Sequence, residues 1–292
     1  MSLVARPRRS ALYMPASNAR ALEKARALPC DVMIIDLEDA VLPEVKVMAR
    51  DAAAQAVRAG GFGHREVVVR INALDTPWGR EDLAQIAATG PDAVLVPKIR
   101  GPLDLIAYSE VLAQTAPDRT RLWAMIETVQ AALQPSAIAE AARESRLAAL
   151  VMGVNDLARE MGARQTPART PFHAALSMAV CAARAHGLAV IDGVHNEIDD
   201  IAALEAACRQ GADFGFDGKS LIHPSHLEIC NRVFRPGPEE VALARAVIAA
   251  FDDPQNVGKG ALRVDGRLAE RLHRDQAISL VAIDQAIAAT AI

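Results

Sequence analysis

The chain has 292 residues, of which 51% are hydrophobic, 23% charged and 3% aromatic, with a formal net charge of −4. A large core is possible and disorder is not expected. The scattered basic residues and the scarcity of aromatic rings argue against a nucleic-acid binder.

In chain order, MSLVARPRRS at 1–10 is basic and lacks an apolar centre, so it does not read as a signal peptide. Short β-branched runs then alternate with Ala-rich segments of helical period. The strand-like runs are 11–16, 32–38, 66–72, 93–99, 121–127, 148–154, 188–194 and 213–219. Segments such as KVMARDAAAQAVRA and ALSMAVCAARAHG read as the intervening helices, with Gly187 suited to a C-cap. Eight such repeats predict a (β/α)8 TIM barrel over 1–234. A doubly wound sheet is the rival. It lacks support, because no G-x-G-x-x-G follows the first run, GGFGH (60–64) precedes a strand, and GFDGKS (215–220) is an incomplete phosphate loop. Residues 235–292 read as a C-terminal helical extension of the same unit, with a turn at Asp265–Gly266 and a long amphipathic helix. No apolar stretch approaches the ~18 residues of a membrane span. The four cysteines, Cys30, Cys181, Cys208 and Cys230, lack metal or redox spacing and read as buried small hydrophobes in a reducing compartment. A soluble cytoplasmic protein is expected.

Barrel chemistry sits at the C-terminal ends of the strands. Asp36, Glu38 and Asp39 close the second run, Arg70 and Asn72 the third, Pro97 and Lys98 the fourth, and Glu127 the fifth. Asp156 lies beyond the sixth, and Asp192 and His195 close the seventh. Carboxylates gathered at one mouth repel unless a cation joins them. Arg70 is one candidate and a divalent metal another. All-oxygen donors favour Mg2+ or Mn2+ over Zn2+. His195 and His223 could act as acid–base groups, but structural hydrogen bonding is the simpler reading for each. His64, His173, His186 and His273 have no motif context.

In this order and spacing, RRSALYMPA (8–16), IIDLEDAV (34–41) with Lys46 and Ala49–Arg50, VRIN (69–72), VPK (96–98), MIET (125–128), GVNDL (153–157) and GFDGKSLIHPSH (215–226) form a specific pattern. On these pieces the chain resembles the citrate lyase β-subunit-like group of the HpcH/HpaI aldolase family over nearly its whole length. The resemblance implies a barrel that assembles as a homotrimer or hexamer. It implies a Mg2+-dependent carbon–carbon lyase that splits a 3-hydroxy-acyl-CoA dicarboxylate of the citryl-, malyl- or citramalyl-CoA type into a 2-oxo acid and an acyl-CoA. It further implies that Glu127 and Asp156 bind the metal, with Glu127 also near the substrate. Arg70 would grip the substrate's oxygens, and Glu38 and Asp39 would order metal-bound waters. Arg9, Tyr13 and Lys24 would lie near the CoA chain.

One motif departs from the pattern. Where many lyases of the group carry G-x-M-I-D, this chain has GRLAE at 266–270, placing Glu270 at the position of the acid–base Asp. A Glu is one methylene longer, and a misplacement of about 1 Å can cost ~100-fold in rate. His226 also stands where the family often has Gln. Three other activities therefore stay open: a pyruvate aldolase acting without CoA, hydrolysis of the thioester, and a subunit working only when docked on an acyl-carrier partner.

Overall fold

The computed structural model describes residues 6–290. The leading five residues of the basic segment lie outside that range. Among the described residues the strands are β1 (Ser10–Pro15), β2 (Val32–Asp36), β3 (Glu66–Arg70), β4 (Ala93–Val96), β5 (Arg121–Ile126), β6 (Leu147–Met152), β7 (Ala189–Asp192) and β8 (Gly218–Leu221). Each pairs in parallel with the next, and β8 pairs with β1, closing the barrel. The helices of this region are α1 (Ala19–Ala25), α2 (Lys46–Ala59), α3 (Gly79–Ala87), α4 (Pro102–Thr115), α5 (Val129–Leu133), α6 (Pro135–Glu140), α7 (Val154–Met161), α8 (His173–His186), α9 (Ile201–Phe214) and α10 (Leu227–Val233). The predicted alternation is thus a (β/α)8 barrel.

Alternation of side chains fills the barrel from inside. Ile34, Val68, Leu95, Trp123, Met125, Val151 and Ile191 join one buried cluster, with Tyr13 packed against it. Their neighbours in sequence face the helices. Toward the N-terminal end, Arg8 donates to Glu66 at 2.6 Å and lies 5.5 Å from the Trp123 ring.

The expected strand ends need two corrections. Most runs stop two or three residues early, because the polar residues that follow turn out of the ladder into the loops. The eighth strand is not 213–219. Helix α9 continues through Phe214 and ends on Gly215 in the left-handed region (φ 95°), so the strand begins only at Gly218. A Cβ at Gly218 would lie 2.5 Å from the Arg9 carbonyl, so a glycine is needed where β8 meets β1. Cys181 is exposed, unlike the other three cysteines.

The chain divides into two compact units, Arg8–Arg232 and a second made of the described residues up to Pro7 with those from Val233 onward. The second contains α11 (Pro238–Asp252), an antiparallel hairpin of β9 (Ala261–Val264) and β10 (Arg267–Glu270), and α12 (Arg271–Thr290). Its core joins Ala244, Val247, Val264, Ala269 and Ala277. The hairpin is an addition to the sequence reading. The Asp265–Gly266 turn was foreseen, and its positive φ angles of 47° and 78° suit a tight hairpin, but the strands flanking it are too short to announce themselves. No described helix is long and apolar enough to cross a membrane.

Asp192 does not reach the mouth. It stands beside Lys219 in the β7–β8 register, both fully buried, and accepts from Lys219 Nζ at 2.8 Å and Arg169 Nη1 at 2.7 Å. Burial alone would raise its pKa. Lys219 and Arg169 outweigh burial and hold the carboxyl below its usual range. Replacing Asp192 with Asn strands two buried cations, and urea denaturation should show a loss of about 3–5 kcal/mol. A depressed folded-state pKa means that Asp192's stabilisation is complete above the ordinary carboxylate value of about 4 and lost as pH falls through the lowered value. Wild-type stability should therefore drop on acidification below about pH 4 more steeply than that of the Asn variant.

Candidate active site

Strand order brings β2 and β3 side by side with Asp36 opposite Arg70. Both are buried, and Arg70 closes on Asp36 through Nε–Oδ1 at 2.7 Å and Nη2–Oδ2 at 2.6 Å. Asp36 also accepts the backbone N–H of Glu38 (2.9 Å) and of Ala40 (3.2 Å), which curls the following loop back over the mouth. The curl delivers Glu38 and Asp39 to Arg70 Nη1, at 2.8 and 3.2 Å. Lys46 holds the loop from behind, donating to the carbonyls of Leu37 and Glu38 and to Asn72. The guanidinium lies 4.7 Å from the centre of the Tyr13 ring. Burial works against its charge, but Asp36 and Glu38 outweigh that and raise its pKa well above normal.

On the facing side, Glu127 follows β5 and is almost wholly buried, with Oε1 accepting the Lys98 backbone N–H at 2.7 Å. Asp156 lies in the first turn of α7. Lys98 Nζ sits between the acidic groups: it donates to Asp156 and lies 3.4 Å from Glu127 and 3.8 Å from Glu38. Arg159, at the exposed rim, also reaches Asp156 at 2.6 Å. Lys98 adopts φ 53°, a left-handed conformation that a lysine rarely takes. Burial raises the Glu127 carboxyl and pushes Glu38 up to about 8. A cavity of about 290 Å³ opens among Tyr13, Arg70, Glu127, Asp156 and Ser220.

Mg2+ needs only one or two protein carboxylates, completing its shell with water and substrate oxygens. Among the described residues no three acidic, His or Cys side chains converge on one point as a metal cage. Two carboxylates, Glu127 and Asp156, do converge, and the ammonium of Lys98 occupies the place between them. The Glu127 Oε2 atom is buried without a hydrogen-bond partner. A Cβ on Gly153 would approach that oxygen to 2.5 Å, so glycine keeps the space beside it open. This donor set fits Mg2+.

The structure thus gathers Glu38, Asp39, Arg70, Glu127 and Asp156, as the sequence suggested. Tyr13 is at the cavity floor, packed under Arg70. Arg9 is not brought to the mouth: it precedes β1, at the opposite end of the strands, and forms a two-pronged pair with Asp31 at 2.8 Å. Lys24 is exposed in the last turn of α1. Glu270 belongs to the second unit, where it ends β10 with an exposed side chain and donates its backbone N–H to His273 Nδ1 at 2.9 Å. His226 is buried against the Ile198 carbonyl and His223 is tied to Ser225, both structural bonds. Sequence reasoning missed the roles of Asp36 and Lys98. Asp36 was visible only as one acid of three, and the VPK run carried Lys98 without a partner to explain it.

The family description HpcH/HpaI aldolase/citrate lyase matches residues 9–224. A protein of Cereibacter sphaeroides (strain KD131) named (3S)-malyl-CoA thioesterase is 47% identical over 99% of both chains. An L-malyl-CoA/beta-methylmalyl-CoA lyase of the same species (strain ATCC 17029) is 32% identical over 91% of both. The crystal structure of CitE from Mycobacterium tuberculosis with magnesium, acetoacetate and coenzyme A superposes with a TM-score of 0.76, at 29% identity, covering 96% of this chain and 98% of that one.

Changing Glu127 to Gln or Asp156 to Asn should weaken Mg2+ at least tenfold by calorimetry. Gly153→Ala should do the same by pushing the Glu127 carboxylate aside, and unchanged affinity in all three would remove this pair from the metal site. Arg70→Ala should lose affinity for oxaloacetate-like acids, and retained binding would show that Arg70 is no carboxylate clamp.

Proposed function

The chain belongs to the HpcH/HpaI aldolase/citrate lyase family, and from that premise we propose that it is a Mg2+-dependent thioesterase acting on a malyl-type acyl-CoA. The observation that carries this reading is the 47% identity, end to end, with a relative named for that hydrolysis. Glu127 and Asp156 would hold the metal, and Mg2+ bound there supplies a positive charge for the oxygens of the substrate.

The chain's own groups account for the rest. Arg70 Nη1 is shared by Glu38 and Asp39, so a substrate carboxylate can take that position while Asp36 keeps the guanidinium in place. The first N–H groups of α7, beside the cavity, have no partners inside the helix and suit a carboxylate or a developing oxyanion. Displaced from Arg70, Asp39, which lines the cavity, would be a carboxylate able to take a proton from an attacking water. The new C–O bond forms, the C–S bond breaks, and CoA leaves as the thiol with a free hydroxy diacid as co-product.

A second reading is carbon–carbon cleavage of the same substrate to glyoxylate and acetyl-CoA. It is favoured by the 32% identical lyase and needs an acid to protonate the enolate carbon, a task Glu270 would serve. Hydrolysis needs no such carbon acid, so the altered GRLAE motif sits more easily with the thioesterase.

Turnover of malyl-CoA with Mg2+ and with EDTA separates the readings. Equal release of free CoA and malate, only with Mg2+, is the expected result. Glyoxylate with acetyl-CoA would transfer the assignment to the lyase, and silence on the thioester would sink both. Glu270→Gln should leave CoA release within about threefold of wild type under hydrolysis and abolish cleavage under the lyase reading.

A further inference from the structure

A second cavity, of about 260 Å³, lies beside the first, sharing Val154 and Val194 as a common wall. The metal pair and Arg70 have no part in it. Three polar atoms on residues that line it are buried without a hydrogen-bond partner: Thr166 Oγ1, Arg169 Nη2 and His195 Nε2, the last with only the Glu197 carboxylate near it at 3.5 Å. An unpaired buried polar atom costs about 1–3 kcal/mol, and three around one space point to something that belongs there.

The electrostatics say what. Arg169 is about nine-tenths buried and spends Nη1 on Asp192 and Nε on Gln210, at 2.6 Å. Asp192 is shared with the fully buried Lys219, so two cations meet one carboxylate and the cluster keeps a single positive charge. Asp200 lines the cavity but caps α9 by accepting from Ala203 N, and Glu197 lies at the exposed rim, 3.5 Å from His195. Gln165 and Asn196 are the other polar lining residues, and the remainder, including Phe172 and Ala207, is apolar. Arg169 also holds φ 53°. Only Lys98, Arg169 and Asp265 among described non-glycine residues have positive φ; Asp265 serves a hairpin turn, Lys98 bonds Glu127 and Asp156 of the first cavity, and Arg169 lines the second. Such strain persists where surrounding structure enforces it, and it concentrates at ligand sites. Asn155, Gln165 and Asn196 bond to one another at 2.9–3.1 Å along the boundary between the cavities.

We propose that this second cavity is a binding site for a small monocarboxylate with a short apolar body, its oxygens taken by Arg169 Nη2 and Thr166 and its chain lying against Phe172. It is separate from the clamp at Arg70.

The test uses sodium butyrate with the full-length protein, followed by saturation-transfer NMR. Saturable binding is expected, weakened at least tenfold by Thr166→Val and by Ala203→Leu, which narrows the cavity, and unchanged by Arg70→Ala. No saturable binding, or equal affinity in the Thr166→Val and Ala203→Leu proteins, would overturn the proposal. So would loss of binding in Arg70→Ala with both other variants intact, since butyrate would then be reading the first cavity. The imidazole resonances of His195, assigned with His195→Gln, give a second readout in the wild type: they should shift on butyrate addition, and a static signal counts against the site even if Arg70→Ala fails to fold.

Discussion

The pairing of Arg70 with Asp36 is the interaction on which the mouth of this barrel depends. Both groups are buried, and in a low dielectric neither could be accommodated without the other. The pair sits in register on adjacent strands, so its geometry is set by the sheet and not by a loop. Everything acidic nearby is then arranged around it. Asp36 spends its remaining capacity on the loop backbone, and that loop carries Glu38 and Asp39. The carboxylates of the mouth (Asp36, Glu38, Asp39, Glu127 and Asp156) outnumber its two interior cations, Arg70 and Lys98. Burial first, and Asp39 beside it second, raise the Glu38 carboxyl, and one oxygen of Glu127 is left without a hydrogen-bond partner. A site so poised gains by accepting positive charge on one side and a substrate anion on the other.

Much of this was legible in the sequence. Eight alternating repeats and polar residues at strand ends gave the barrel and the right face of it, because period-two burial and helical period are strong local signals. The residues that close strands two, three and five carried their positions with them. What the sequence could not show was partnership across the barrel. Arg9 and Tyr13 are four residues apart, yet Arg9 precedes β1 while Tyr13 lies within it toward the mouth, and only the direction of β1 separates a floor residue from one paired with Asp31. Asp192 read as a mouth acid because it ends a strand, but its side chain falls on the helix-facing side of the alternation. The eighth strand was misplaced because Asp213–Phe214 continues a helix whose end is fixed by a left-handed Gly215, a backbone feature that hydrophobic pattern does not record.

The two strained residues have different neighbours but a common logic. Lys98 turns one proline beyond a four-residue strand, and its twisted backbone lets the same residue offer an N–H to Glu127 while its ammonium reaches Asp156. Arg169 precedes a short helical turn before α8 and must reach inward past Gln210 to Asp192. In each case a long cationic side chain starts from an unfavourable dihedral and is held by buried carboxylates, so the electrostatic term outweighs the steric one.

The β7–β8 register has a consequence for how the barrel comes apart. Only two residue pairs join these strands, against five between β1 and β2. One of the two is Asp192 with Lys219, so this short seam, like β2–β3 with Asp36 and Arg70, is fastened in large part by charge. The hydration of ions becomes less favourable as temperature rises, and the penalty for keeping such a pair dry shrinks with it. Heating should therefore spare such junctions relative to the aliphatic seams, and acid should open this one only as the pH falls through the lowered value of Asp192. The protection of β8 amides, taken relative to their intrinsic exchange at each pH, would then fall in acid while the β1–β2 ladder keeps its own.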